Sequence, residues 1–200
     1  MPSHYFDEAP SGDMKTKDIT VTLDAREVTV TTAGSIFSPD HVDTGTKILL
    51  EHLDEAPAGG DILDLGCGWG PIALALALHS PKATVWAIDV NERARQLTEL
   101  NAAKLGLTNV KVCHPSEVPA NLEFTGIWSN PPIRVGKDVL HELMTTWLPR
   151  LEPGADAYLV VQKNLGADSL QRWIDSTVPE VSVERVSTAK AFRVLRATKG

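Results

Sequence analysis

The chain has 200 residues and a net charge of −7, with 42% hydrophobic and 22% charged residues, which is the composition of one globular domain with a substantial core. No apolar run approaches the ~18–20 residues that cross a bilayer, and the polar, acidic N-terminus has no signal-peptide pattern, so a cytoplasmic, non-membrane protein is expected. The acidic balance argues against a general nucleic-acid coater, but leaves open an enzyme that draws one nucleotide into a pocket lined by local cations.

Taken along the chain, residues 19–23 and 28–32 alternate apolar and polar side chains around Asp24-Ala25-Arg26-Glu27 and predict a β-hairpin. Asp40 or Asp43 is placed to cap a helix running through Leu49, Leu50 and Leu53, and Pro57-Ala58-Gly59-Gly60 breaks the chain. Strand and helix patterns then alternate: strands at 61–65, 84–88, 110–113 and 126–129, with helices at 71–79, 92–105 and 137–148. A strand at 157–161, a helix through 170–174 and two strands at 181–186 and 192–197 follow, the last two as an antiparallel pair. This order predicts an α/β fold with a doubly wound, mostly parallel seven-stranded sheet and an antiparallel C-terminal hairpin. A short N-terminal extension over residues 1–56 is expected to pack on the domain formed by residues 57–200.

Ligands in such sheets sit at the C-terminal strand ends, near the switch in strand order. Asp64, Asp89, His114 and Asn130 all fall at such ends. Asp64-Leu65-Gly66-Cys67-Gly68-Trp69-Gly70 follows a strand and opens a helix, so its glycines let backbone approach a ligand next to a helix N-terminus. Its GxGxG spacing differs from the dinucleotide GxGxxG, which would need glycine where Pro71 stands; this speaks against a nicotinamide dehydrogenase. Asp89 ends the next strand, where a carboxylate accepts from two ribose hydroxyls; the alternative is an N-cap for the following helix.

Ser129-Asn130-Pro131-Pro132-Ile133-Arg134 points to the reaction class. The lone pair of an exocyclic amine or amide is delocalised, so a catalyst must hold both N–H groups and aim the nitrogen. The Asn130 side-chain oxygen and the Pro131 carbonyl supply two acceptors, on a backbone stiffened by Pro131 and Pro132. The alternative is a turn that merely ends a strand. The cysteines Cys67 and Cys113 have no zinc or disulfide spacing and read as small buried side chains, and the six histidines have no metal-ligand spacing.

Residues 64–70, Asp89 and the Asn-Pro-Pro-Ile segment together resemble the class I S-adenosylmethionine methyltransferases, which have a Rossmann-like fold. Trp128–Lys137, Gly34–Thr46, His4-Tyr5-Phe6, residues 157–166 and Ala191–Ala197 further resemble the ribosomal RNA guanine-N2 methyltransferases of the RsmC type and their small single-domain relatives. The resemblance implies S-adenosyl-L-methionine as cofactor, held by Phe37, Asp43, Gly45, Asp64, Gly66, Cys67, Gly68, Gly70, Asp89, Val90, Ser116 and Asn130. It implies an RNA substrate, ribosomal and free or within a subunit, with Asn130, Pro131 and Pro132 at the chemistry. Ile133, Arg134, Lys163 and Arg193 are then candidates for substrate contact, with Lys137 a further cation nearby. Phe37, Asp43 and Gly45 would form a cover over the cofactor; otherwise Phe37 is core and Asp43 a helix cap. Many relatives carry an acid near Ser116, and longer members carry an additional N-terminal domain that helps select RNA, expected to have no counterpart here. Ile133 stands where glutamine-N5 methyltransferases of proteins carry an aromatic residue, which makes that activity the second reading. A non-catalytic cofactor-binding module is the third. Monomer and dimer both remain open.

Overall fold

The computed structural model describes residues 13–200; the His4-Tyr5-Phe6 segment lies outside them. Strands β1 (Thr16–Leu23) and β2 (Arg26–Ala33) pair antiparallel with Leu23 opposite Arg26. The turn is tighter than the sequence pattern suggests, because Asp24 and Ala25 take φ of 48° and 57°. Two successive positive-φ residues form the two-residue turn whose twist matches a hairpin. Helix α1 (Thr44–Leu50) follows. It stops before Leu53, which starts a separate 3-10 turn ending at Glu55.

Seven further strands build the main sheet: β3 (Gly59–Leu65), β4 (Lys82–Ile88), β5 (Val110–Cys113), β6 (Phe124–Ser129), β7 (Leu151–Gln162), β8 (Val181–Ala189) and β9 (Phe192–Lys199). Their order is β5-β4-β3-β6-β7-β9-β8. All neighbours from β5 to β7 run parallel, and β9 is antiparallel to both β7 and β8. The expected doubly wound sheet is therefore present, with its C-terminal antiparallel hairpin and the separate N-terminal one. Six of the nine strands start earlier than expected, β1, β2, β3, β4 and β6 by two or three residues and β7 by six. β3 begins inside the Pro57–Gly60 break, at Gly59. β7 begins at Leu151 and absorbs Pro153 and Gly154 in an irregular stretch where its register against β6 shifts, a place where both residues are tolerated in a strand.

Helices α2 (Pro71–His79) and α3 (Glu92–Lys104) share one hydrophobic cluster with α1, the N-terminal hairpin and one sheet face. Helices α4 (Lys137–Trp147) and α5 (Ala167–Thr177) share a second cluster with the other face. The division follows the strand pleat: Ile62 enters the first cluster, whereas Leu63 and Leu65 enter the second. α2 is buried along its whole middle, Ile72 to Ala77, because the hairpin covers the side that would otherwise meet water. This explains an apolar helix with no polar face.

On α3 the buried positions are Ala94, Leu97, Thr98, Asn101 and Ala102, a helical stripe with two polar members. Asn101 is fully buried. Its Nδ2 donates to the carbonyls of Thr31 (2.9 Å) and Trp69 (3.0 Å), and its Oδ1 accepts from the Thr31 N–H at 2.7 Å. One side chain thus ties β2 to the loop between β3 and α2. Replacing it by alanine strands three backbone groups. Asn101→Ala is expected to cost about 3 kcal/mol and to lower the melting temperature by roughly 6–12 °C, measured by differential scanning calorimetry.

Candidate active site

β3 is the switch point: β4 and then β5 lie on one side, β6 and β7 on the other. Asp64 of β3 pairs in register with Trp128 of β6, and continuing that register sets Gly66 beside Asn130. The fully buried Ser129 hydroxyl donates to the Leu65 carbonyl at 2.7 Å and locks the two strand ends level. On the other flank, Gly66 and Cys67 donate their backbone N–H groups to the Ile88 carbonyl at 2.9 and 3.0 Å. The ends of β4, β3 and β6 are therefore stitched together where Asp89, the glycine loop and Asn130 begin.

In the loop itself, Gly66 and Gly68 take φ of 84° and 56°, and a Cβ on either would meet nothing within 4 Å. These glycines are needed for conformation, and they leave open space against bare backbone. The loop is held from below by α3: Thr98 Oγ1 donates to the Gly68 carbonyl at 2.9 Å and to Cys67 Sγ at 3.4 Å. Burial pushes the Cys67 thiol well above its ordinary range, with the charges of Asp89 and Asp64 adding to the effect, so it is a packing group rather than a nucleophile.

Asp64 is fully buried. Its Oδ2 accepts the Ala73 N–H in the first turn of α2 at 2.9 Å, and its Oδ1 is buried without a hydrogen-bond partner. Burial drives its carboxyl well above the usual carboxylate range; the Ala73 bond opposes this and the charge of Asp89 reinforces it. Asp89 is raised for the same first reason, against the N–H groups of Asn91 and Gly68 and the charge of Arg95. Its Oδ2 accepts from Gly68 at 3.0 Å and its Oδ1 from Asn91 at 2.9 Å, leaving each oxygen an outer lone pair. The helix-cap alternative for Asp89 fails, since Asn91 caps α3 through the Ala94 N–H. Val90, half-buried, follows Asp89, and Arg95 donates to the carbonyls of both at 2.8 and 2.9 Å.

Asn130 is where the N-terminal segment joins the site. Its Nδ2 donates to Asp43 Oδ2 and to Thr46 Oγ1, each at 3.1 Å. Among the described residues its Oδ1 has no partner, so the acceptor end of the amide is the open end. Asp43 is also the α1 cap, accepting from the N–H groups of Gly45 and Thr46. A Cβ on Gly45 would stand 2.8 Å from the Phe192 ring, so glycine is required there for space. Phe37 is 46% exposed, which excludes a core role. Its loop is fastened over the glycine loop by Trp69, whose Nε1 donates to the Ser38 carbonyl at 3.1 Å.

Pro131 is buried, and Pro132 and Ile133 are half-buried, Ile133 against the second cluster. Arg134, Lys137 and Lys163 are exposed in the segments that follow β6 and β7. Arg193 differs from the open cation that its position suggested: it is 8% exposed and its guanidinium is paired with Asp168. The exposed cation on that flank is Lys190 in the β8–β9 turn, beside Lys163, whose backbone N–H donates to the Ala191 carbonyl. Ser116 is exposed in a short 3-10 turn capped by His114, with its Oγ 2.7 Å from His114 Nδ1. Sequence reasoning missed the supports Thr46, Thr98, Asn101 and Ser129. The signal for two of them was present, as polar residues on the apolar stripe of α3. Among the described residues no group of His, Cys, Asp or Glu is arranged to hold a metal, and no helix is long and apolar enough to cross a membrane.

Residues 27–196 match the family model of the methyltransferase small domain. The chain is 36% identical over 203 residues to the uncharacterized protein YbxB of Bacillus subtilis (strain 168), covering all of both chains. It is 31% identical over 169 residues to the ribosomal RNA small subunit methyltransferase C of Pseudomonas putida (strain KT2440), covering 82% of this chain and 49% of that one. Its fold is similar to that of the T. thermophilus 16S rRNA N2 G1207 methyltransferase (RsmC) in complex with AdoMet and guanosine, with a TM-score of 0.81 and 22% identity over 96% of this chain and 52% of that one. The chain thus spans about half the length of these RNA methyltransferase relatives.

A carboxyl whose pKa is higher folded than unfolded is destabilising once ionised. Stability is lost as pH rises from the unfolded value of about 3.9 through the raised folded value. Asp64→Asn keeps an acceptor for Ala73 and removes the buried charge. The variant is expected to be at least as stable as wild type at pH 7, and their difference to grow with pH between 4 and 7 by at most about 1.4 kcal/mol per unit. Urea melts across that range measure it.

Proposed function

The chain belongs to the methyltransferase small domain family, and from that premise we propose that it is an S-adenosylmethionine-dependent N-methyltransferase acting on an exocyclic amine, the N2 amine of a guanine in ribosomal RNA. The observation that carries the reading is the open Oδ1 of Asn130, at the end of β6 and level with the glycine loop. The site residues fit the cofactor. The unpartnered Asp64 Oδ1, the bare backbone at Gly66 and Gly68 and the outer lone pairs of Asp89 are what a zwitterionic nucleoside needs: an acceptor for an ammonium, room for close approach, and acceptors for two ribose hydroxyls. When bound, S-adenosylmethionine supplies an electrophilic methyl group on a sulfonium.

The protein's own task is to present a nitrogen to it. Asn130 Oδ1 accepts one N–H of the substrate amine and the Pro131 carbonyl accepts the other, which orients the lone pair and stabilises the positive charge that the nitrogen gains. A strong base is not required, because the alkylated nitrogen becomes acidic and gives up its proton to water. Pro131 and Pro132 keep both acceptors in place before the substrate arrives.

RNA as substrate is supported by the RNA methyltransferase relatives and by the placing of charge. In a chain of net charge −7, Arg134, Lys137, Lys163 and Lys190 all occupy segments at the C-terminal edge of β6, β7 and the neighbouring hairpin turn. Cations there suit phosphates flanking an inserted nucleotide. Ile133 offers an apolar surface to a base.

Transfer of label from S-adenosylmethionine, assayed against ribosomal RNA, isolated ribosomal subunits and release factors, tests the substrate. Label in RNA recovered as N2-methylguanosine is expected, and label in protein glutamine would replace this assignment. Asn130→Ala is expected to lower kcat by roughly 10²–10³-fold while calorimetric binding of S-adenosylhomocysteine stays within about threefold. Reversing Arg134, Lys163 and Lys190 to glutamate is expected to raise KM for RNA. It should also flatten the salt dependence, by roughly 0.7–0.9 log units for each phosphate that the protein no longer neutralises. A salt slope equal to wild type would remove these cations from the RNA-binding surface.

A further inference from the structure

We infer that Asp43 is a positioning residue for the reaction: one oxygen of its carboxylate sets which end of the Asn130 amide faces the substrate. The inference rests on the reading of Asn130 as the substrate acceptor and goes beyond it, since Asp43 was expected only as part of a cofactor cover or as a cap.

The two ends of a carboxamide are nearly equal in size and opposite in hydrogen-bonding sense. Asn130 works as an acceptor only if its NH2 is turned inward and stays there. Two groups receive that NH2, Asp43 Oδ2 and Thr46 Oγ1, each at 3.1 Å. The Thr46 hydroxyl both donates and accepts, so it tolerates either orientation. An ionised carboxylate only accepts. Turning Asn130 over would set its Oδ1 against Asp43 Oδ2, two acceptors with no proton between them, inside a part-buried contact where that clash is little screened. Asp43 therefore makes the choice and Thr46 completes it.

Asp43 is itself held. The same Oδ2 also accepts the backbone N–H groups of Gly45 at 2.9 Å and Thr46 at 3.3 Å. Gly45 lies directly under Phe192, where even a Cβ would come within 2.8 Å. The start of α1 cannot shift without moving β9. Three donors on one oxygen thus join the N-terminal segment, the last strand and the end of β6 at the side chain expected to touch the substrate.

The experiment uses the full chain with Asp43→Asn, Asp43→Ser and Asp43→Ala, and Asn130→Ala as reference. The Asn130 side-chain NH2 pair, assigned in a ¹⁵N–¹H spectrum by its disappearance in Asn130→Ala, is followed in each variant without substrate. Methyl transfer to RNA gives kcat and KM, and calorimetry gives the affinity for S-adenosylhomocysteine. Asp43→Asn can turn its own carbonyl to the three donors and is expected to keep kcat within about threefold. Asp43→Ala, and Asp43→Ser, which preserves a good helix cap, are expected to lose roughly 10–100-fold in kcat. Both should move the Asn130 NH2 resonances, with S-adenosylhomocysteine affinity within about threefold of wild type. The double variant Asp43→Ala with Asn130→Ala should be no slower than Asn130→Ala alone. Unmoved Asn130 resonances in Asp43→Ala would overturn the inference. So would an Asp43→Asn protein that loses cofactor affinity and turnover together, since the carboxylate charge would then act on the cofactor. If instead Asn130→Ala turns over at the wild-type rate, the reading of the reaction fails, while the NH2 resonances still report whether Asp43 orients the amide.

Discussion

The site depends on β3 and β6 ending level with each other. Parallel neighbours can slide in register unless something pins them, and a slip of one residue would turn Asn130 to the other face of the sheet. The pin is the Ser129 hydroxyl on the Leu65 carbonyl, a short contact in a fully buried place. It occurs one residue before the chain leaves β6 for Asn130 and one before it leaves β3 for Gly66. The Ile88 carbonyl does the same between β3 and β4 by taking two N–H groups from the glycine loop. The glycine loop, Asp89 and Asn130 are therefore placed by sheet backbone, the stiffest part of the fold.

The N-terminal segment serves two purposes with one set of contacts. It closes the apolar side of α2, contributing Leu23, Val30, Ala33, Ile36 and Val42 to the cluster there. It also delivers Asp43 and Thr46 to Asn130 and hangs the Phe37 loop above the glycines through Trp69. Asn101 joins these purposes, because it bonds β2 and the Trp69 carbonyl at once. A segment that packing alone would explain is thereby tied to the strand-end residues, and loosening the hairpin should loosen the loop that carries Phe37.

Much of this was legible in the residues. The alternation of strand and helix patterns gives the doubly wound sheet, and the strand-end rule brings Asp64, Asp89 and Asn130 together from sequence positions 66 residues apart. What was not legible is long-range side-chain bonding. Asp43 reads equally well as a cap or as a site residue, and it is a cap whose one oxygen also takes the Asn130 amide; periodicity carries no trace of a contact across 87 residues. Arg193 reads as a free cation in the last strand because nothing local shows that Asp168, on α5, reaches it. Lys190 was passed over because a turn lysine looks like any solvated charge until β9 is known to pair with β7 and bring it beside Lys163. Strand starts at Gly59 and Leu151 were hidden by Pro and Gly, which mark breaks in a sequence but are absorbed at the irregular ends of real strands.

The energetics of the two acids separate scaffold from site. A chain selected for stability alone would not bury Asp64 completely, give one oxygen a single backbone N–H and leave the other with nothing, since an unpartnered buried carboxylate oxygen is among the costlier features a fold can carry. Nor would it set Asp89 close enough to raise the pKa further. Both costs fall when a positively charged, hydroxyl-bearing ligand enters, because it supplies an opposite charge to one acid and donors to the other. The unfavourable term in the free protein is thereby released on binding and adds to the ligand's affinity. Asp43 follows a different rule: it is half-buried, caps α1 and takes three donors on one oxygen, so its hydrogen bonding is already met within the protein. This contrast supports the roles proposed for them, Asp64 and Asp89 toward the cofactor and Asp43 toward the protein's own amide.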